Sequence, residues 1–269
     1  MRSIICSIDI NQLSLYISAY QNGETCVRAA EKPEIAALPL FASMDHEQRE
    51  QIFAASFLQV FPPALKLFDT GQKPDFLHIL IDGMVELFTG NGDRTTSMAI
   101  VRPVRSFILA AAYTDQPYLM SARTLTASRI LMIPSPLIRD AIDNDRSLMR
   151  GAMQELAFGF RYFVRALTDM KLRQSVERLG NYLLVESDER GGAFQFEIPI
   201  EKRTLASLLG MTPENLSRAF GALAAHGDCD VGAAVAAQVG DLDAAGGIGA
   251  DRVDERGIER AVTLAVHQR

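Results

Sequence analysis

At 269 residues the chain is long enough for two domains, each burying its own core. A hydrophobic content of 48%, a charged content of 22% and a net charge of −6 describe an ordinary globular protein and exclude one coated in basic surface, although a local basic patch can still meet phosphate. Cys6, Cys26 and Cys229 are scattered, odd in number and form no C-x-x-C pair, which argues against a disulfide framework, a zinc site or a four-cysteine iron–sulfur cluster within one chain.

The N-terminal stretch MRSIICSIDINQLSLYISAY is apolar, but Asp9, Asn11 and Gln12 interrupt it and no small-residue cleavage site follows. No signal peptide is expected, no stretch reaches membrane-span length, and the expected location is cytoplasmic. Residues 1–34 carry no strong periodicity; an extra arm and an overextended start both remain open. Asp45 is placed to cap a helix, with Gln48 completing a capping box, and Ile52, Phe53 and Phe57 point inward. From Leu58 to Ile133 the period changes to two. Strands are expected at Phe76–Ile81 and Met84–Phe88 across the turn pair Asp82-Gly83, and at Thr95–Val101 after Gly90-Asn91-Gly92-Asp93. Further strands fit Ser106–Ala111, Leu119–Leu125 and Ile130–Ile133, so residues 35–143 read as a small antiparallel roll or barrel. His78 is the only histidine in that expected core; such a residue is either packed, surface-facing or a ligand.

After Pro134 and a short helix to about Ile142, Asp145 opens a long helix, placed at residues 144–170. Its apolar positions are Met149, Met153, Leu156, Phe160, Phe163, Leu167 and Met170, whose alternating steps of four and three form a sustained heptad seam. That seam wants a second helix in the same register, favouring a parallel homodimer over packing on the chain's own roll, a face that Phe158 and Val164 would serve. Leu172, Val176, Leu179 and Leu183 define another amphipathic helix, Gly191-Gly192 turns into a strand at Phe194–Ile198, and Pro199 leads on.

The segment from Glu201 to Gly227 holds the densest local signals. Arg203–Leu209 forms a short helix in which Ala206 admits a close neighbour, and Gly210 supplies a sharp turn. Thr212 is a good N-cap, Pro213 fits the first helical position and Glu214 suits the positive end of the dipole. Leu216, Phe220 and Leu223 share one face of the second helix, leaving Glu214, Ser217 and Arg218 on the other. A helix, a glycine turn and a second helix offering polar side chains from its first turns match a helix-turn-helix DNA reader; an ordinary helical hairpin with solvated polar residues is the plainer alternative.

The run Gly210-Met211-Thr212-Pro213-Glu214-Asn215-Leu216-Ser217-Arg218 resembles the recognition-helix opening of the CRP/FNR family of bacterial transcription regulators, and Ile35-Ala36-Ala37-Leu38-Pro39-Leu40-Phe41 resembles the start of that family's sensor domain. The resemblance implies an α+β chain: an N-terminal antiparallel β-roll of the cyclic-nucleotide-binding kind, a long dimerisation helix, and a C-terminal winged helix-turn-helix over residues 171–227, with a bend near Asp169. It implies double-stranded DNA as partner, through a palindromic operator with FNR-like half-sites. Glu214, Ser217 and Arg218 would touch base edges, Thr212, Asn215, Lys202 and Arg203 would lie beside them, and RNA polymerase is an expected further partner. Carboxylate to cytosine, guanidinium to guanine and hydroxyl to either are sound pairings.

Two departures qualify the resemblance. Cyclic-AMP binders hold the phosphate with a Gly-Glu pair and an Arg-Ser pair. Here Ile108 and Leu109 replace the glycine and the acid, Met120 replaces the arginine, and strand period sends Arg123 to the opposite face from Met120. Cyclic AMP is therefore not expected as the ligand. The apolar pocket instead resembles the haem-linked, nitric-oxide-responsive branch, which would make His78 the haem ligand. The tail, residues 228–269, lacks aromatics and strand alternation and does not match the family's wing, leaving open a β-roll sensor or interaction module that binds no DNA. No catalytic constellation or metal-ligand cluster is present in the sequence, so no enzyme activity is expected.

Overall fold

The computed structural model describes residues 27–42, 44–91, 94–193 and 196–225. The expectations for most of the N-terminal extension, all three cysteines, the tail and the centre of the 90–93 turn lie outside these residues. The chain divides into two compact units, Met1–Thr89 with Ala99–Phe160, and Gly90–Met98 with Arg161–Arg269.

In the first unit, helices α1 (Lys32–Ala36) and α2 (His46–Ala54) precede strands β1 (Phe57–Phe61), β2 (Lys66–Phe68), β3 (Phe76–Asp82), β4 (Val85–Asn91), β5 (Arg94–Val101) and β6 (Arg105–Phe107). Helix α3 (Leu109–Thr114), strands β7 (Ser121–Thr124) and β8 (Ser128–Pro134), and helix α4 (Ser135–Asn144) follow. The strands form two four-stranded sheets, ordered β1-β8-β3-β6 and β2-β7-β4-β5. This is the expected antiparallel roll. Its helical side is a core in which Leu77, Ile79 and Ile81 of β3 and Leu131 and Ile133 of β8 meet Ile52 and Phe53 of α2 and Ile138 and Ile142 of α4. His78, alternating with these core positions on β3, and Phe107 of the neighbouring β6 face the other sheet through Phe68.

Several local expectations are corrected. Asp82-Gly83 does not close a ladder-paired hairpin: β3 and β4 belong to different sheets, and the turn carries the chain from one to the other. Gly83 is required there, at φ +95°, because a Cβ would lie 2.5 Å from the Ala127 carbonyl oxygen. The strand expected at Ser106–Ala111 stops at Phe107, where the Leu-Ala-Ala-Ala run turns helical as α3. Phe57 opens β1 rather than belonging to α2. Asp45 does cap α2, accepting from Glu47 N at 3.0 Å, but Gln48 closes no box; the Asp45 backbone N–H is taken instead by the Asp145 carboxylate.

Helix α5 (Arg146–Leu172) is the long helix, and its first half lies in the first unit and its second half in the second. Asp145 caps it, accepting from Ser147 N at 2.7 Å and Leu148 N at 3.0 Å. Burial pushes the Asp145 carboxyl up, but hydrogen bonds from Ser147, Leu148 and the Asp45 backbone outweigh burial and hold it below the ordinary aspartate value. All seven seam residues are exposed on the single chain, between 37% and 70%. Phe158 instead lies beneath Arg105, whose guanidinium carbon is 3.6 Å from the ring centroid; Val164 is exposed.

In the second unit the chain breaks at Arg173-Gln174, four residues past the bend expected at Asp169, and Leu172 is an exposed end of α5 rather than part of the next helix. Helix α6 (Ser175–Glu189) buries Leu179 and Leu183. Gly191-Gly192 forms the expected turn, but residues 196–199 lie in no ladder. Helices α7 (Lys202–Leu208) and α8 (Pro213–Ala225) complete the unit, with α8 packed against both α6 and α7.

Candidate nucleic-acid interface

The α7–α8 turn is built by local chemistry. Gly210 stands at φ +62°, Gly210 N bonds the Ser207 carbonyl at 3.0 Å, and Met211 N bonds the Ala206 carbonyl at 2.9 Å. This is a Schellman motif, whose left-handed position favours glycine. Thr212 Oγ1 then accepts from Asn215 N at 3.2 Å, satisfying one of the free donors at the start of α8, and Pro213 occupies the first helical position. Beneath the turn, Leu205, Ala206, Leu216 and Ala219 are buried. Ala219, at the centre of α8's inner face, was not singled out by the apolar spacing, because an alanine gives little hydrophobic signal.

Glu214, Ser217 and Arg218 are all exposed on α8, as the spacing predicted, with Asn215 beside them. They are not idle. The Glu214 carboxylate accepts from its own backbone N–H and from the Thr212 hydroxyl, and these bonds, helped by Arg218 and Lys202, hold its pKa below the ordinary glutamate value. Ser217 Oγ donates to the Pro213 carbonyl at 3.0 Å, which leaves the hydroxyl facing outward as an acceptor. Arg218 Nη1 lies 3.4 Å from Asn215 Oδ1, so Asn215 steadies the guanidinium along the helix. Lys202 and Arg203 open α7, half-buried and exposed respectively. The turn therefore brings together a carboxylate, a hydroxyl acceptor and a guanidinium on one protruding helix start, with further cations one helix away.

The roll interior holds the second candidate site. His78 is 4% exposed, with its ring centroid 5.2 Å from Phe68 and 5.4 Å from Phe107, while Phe68 stacks on Tyr118 at 4.0 Å. Burial lowers the His78 pKa to about 4, an interaction with the Phe76 backbone opposing it only in part, so the ring is neutral. Its Nδ1 is buried without a hydrogen-bond partner. The register sets Met132 of β8 and Phe107 of β6 on either side of it. A neutral imidazole with a free ring nitrogen suits metal ligation, but its ring is already packed between Phe68 and Phe107, one of which would have to move to admit a macrocycle.

At the positions aligned with the cyclic-phosphate motif, Ile108 is in the left-handed region at φ +62°, Leu109 is buried at the start of α3, and Met120 precedes β7. Arg123 pairs with Glu86 at 2.5 Å and lies over Phe88, its centre 4.9 Å from the ring. Its charge is thus committed within its own sheet.

Residues 58–145 match the cyclic nucleotide-binding domain model, and residues 177–234 match the Crp-like helix-turn-helix domain model. The chain belongs to the CRP/FNR family of transcription regulators. Its fold is shared by FixK2 from Bradyrhizobium japonicum, at 18% identity and a TM-score of 0.60 over 71% of this chain and 99% of that one. It is shared too by CLP, a c-di-GMP-responsive global regulator from Xanthomonas campestris, at 16% identity and 0.58 over 68% and 94%. A regulatory protein from Silicibacter pomeroyi is similar at 25% identity and 0.50 over 74% and 90%. No curated protein matches the chain. This CRP/FNR chain thus joins a sensor-type roll to a helix-turn-helix of the DNA-binding kind, and none of its described helices is long and apolar enough to cross a membrane.

Proposed function

We propose that this protein is a homodimeric, sequence-specific transcription regulator in which Glu214, Ser217 and Arg218 read base edges of a palindromic operator. The observation that carries this reading is the start of α8: three exposed polar side chains of complementary chemistry, held on a capped helix by a Schellman turn. An α-helix of this kind fits the major groove, where Arg218 would take guanine, Glu214 would leave its Thr212 bond to accept from cytosine, and Ser217 would accept a donor. Lys202 and Arg203 would supply phosphate contacts, and Thr212 and Asn215 would hold the readers in place. The seam of α5 would supply the two-fold partner, since its exposed heptad residues suit a helix in the same register. Productive contact with RNA polymerase would follow at the bound operator.

For the signal, the reading is a ligand other than cyclic AMP, received in the roll interior around His78. A haem held there would supply an iron centre able to take up nitric oxide, and the buried, neutral, unpartnered ring nitrogen supports His78 as its ligand. Hemin titration of the protein and of His78→Phe tests this: equal uptake by both removes His78 from the role.

The operator reading is tested by selection on randomised palindromes with FNR-like half-sites. Arg218→Ala is expected to cost about 1–3 kcal/mol per half-site and relax choice at one position. Lys202→Ala is expected to weaken all sequences alike and reduce the salt slope. The same uniform loss from both variants would remove base reading from Arg218.

A further inference from the structure

Arg178 stands in the first turn of α6, half-buried, and reaches two backbone carbonyls that belong to different parts of the reader unit. Nη1 donates to the Arg173 carbonyl at 2.9 Å, and Nη2 donates to the Gly210 carbonyl at 3.3 Å, with Ser175 Oγ 3.5 Å away. The Arg173 carbonyl lies at the break after α5, where carbonyls lose their intrahelical partners. The Gly210 carbonyl lies in the turn from which α8 projects. One guanidinium therefore ties the end of the long helix to the turn that aims the readers.

The surroundings make that tie stiff. Asp169, one turn before the break, accepts from Arg173 Nε at 2.8 Å and from Asn181 Nδ2 at 2.7 Å, bracing α5 against α6. The Met170 methyl carbon lies 3.4 Å from where a Cβ on Gly210 would stand, so the last seam residue packs directly on the same turn. Arginine suits this post because its planar fork spans two acceptors at once, which a lysine ammonium cannot do with fixed geometry.

We infer that Arg178 is a positioning residue for the recognition helix: it contacts no base, and it fixes the Gly210 turn to the α5–α6 break. The inference rests on the DNA-reading function proposed above and deepens it. A displacement of the last turn of α5, whatever causes it, would be passed to the α7–α8 turn through Arg178 and Met170 rather than absorbed at the break. The rival role for an arginine here is a phosphate contact, and the two roles predict different measurements.

The test uses the full chain. Amide hydrogen exchange at Gly210 and Met211 reports the turn without any DNA. Arg178→Ala is expected to speed exchange there about tenfold, the weight of ~1.4 kcal/mol, with the thermal midpoint of the roll unchanged. Operator affinity is expected to fall by a similar factor while the dependence of log K on log salt keeps the wild-type slope. Arg178→Lys, which keeps the charge, is expected to rescue neither quantity. Unchanged exchange at the turn in Arg178→Ala overturns the inference, and a slope reduced by about 0.9 with unchanged exchange assigns a phosphate contact instead. Should the wild type select no operator, the proposed function fails on that result, and hydrogen exchange still decides whether Arg178 holds the turn.

Discussion

His78 offers a sharp physical test of the roll. Its folded pKa of about 4 lies below the unfolded value of 6.5, because burial among Phe68, Phe107 and Met132 penalises the charged ring. Above 6.5 both states are neutral and the full stability is present. As pH falls through 6.5 the unfolded chain binds a proton that the folded chain refuses, and stability drains until about pH 4, where the folded ring protonates too. At 1.36 kcal/mol per unit, the gap is worth roughly 2–3 kcal/mol between pH 7.5 and 4.5. Carboxylates titrate over the lower part of that window, so the quantity to measure is a difference. Urea unfolding followed by tyrosine fluorescence, which has no tryptophan background and includes Tyr118 stacked beside the site, would be run on wild type and His78→Phe across that range. The wild type is expected to lose about 2–3 kcal/mol more than the variant over the interval. Parallel pH curves would show that the folded ring titrates as it does in the unfolded chain, and would refute the buried neutral histidine.

Three further outcomes are expected. Replacing Phe160 and Phe163 with Glu should convert dimer to monomer in sedimentation, since Phe160 alone leaves a ring 70% exposed on an unpaired chain; a dimer of unchanged affinity would remove the seam from the interface. Gly210→Ala should destabilise the reader unit by about 1–2 kcal/mol through its left-handed backbone, read as a lower unfolding midpoint. Calorimetry with cyclic AMP should show no saturable binding in the micromolar range, because Met120 stands where the family's arginine is expected and Arg123 is held by Glu86.

The reader was legible residue by residue because its signals are local. Thr212, Pro213 and Gly210 each have one favoured backbone role, and the described structure puts each in that role. The same holds for Asp145 at the head of the long helix. The roll was legible as a set of strands but not as a pairing: Asp82-Gly83 has the composition of a hairpin turn, yet long-range sheet order sends β3 and β4 to different sheets. The break after α5 lies four residues past the bend that the family resemblance implies at Asp169, because the helix runs on through Asp169, whose carboxylate bonds Arg173 one turn later and Asn181 of the next helix. Arg178 gave no signal. A single arginine on a helix has no periodicity, and one of its two carbonyl partners, Gly210, lies 32 residues along the chain.

Ile108 keeps a backbone shape that its own side chain opposes. A left-handed conformation costs a non-glycine residue about 1–2 kcal/mol, and a β-branched one fits it least. The buried Phe107 and Leu109 on either side anchor the corner, so the fold rather than the residue dictates the angle. Tolerance at this position should therefore run backwards from that of a normal strand end. Glycine and asparagine would rank above valine and threonine in a saturation library scored for stability, so the present isoleucine leaves the roll short of its attainable stability, with relief one substitution away.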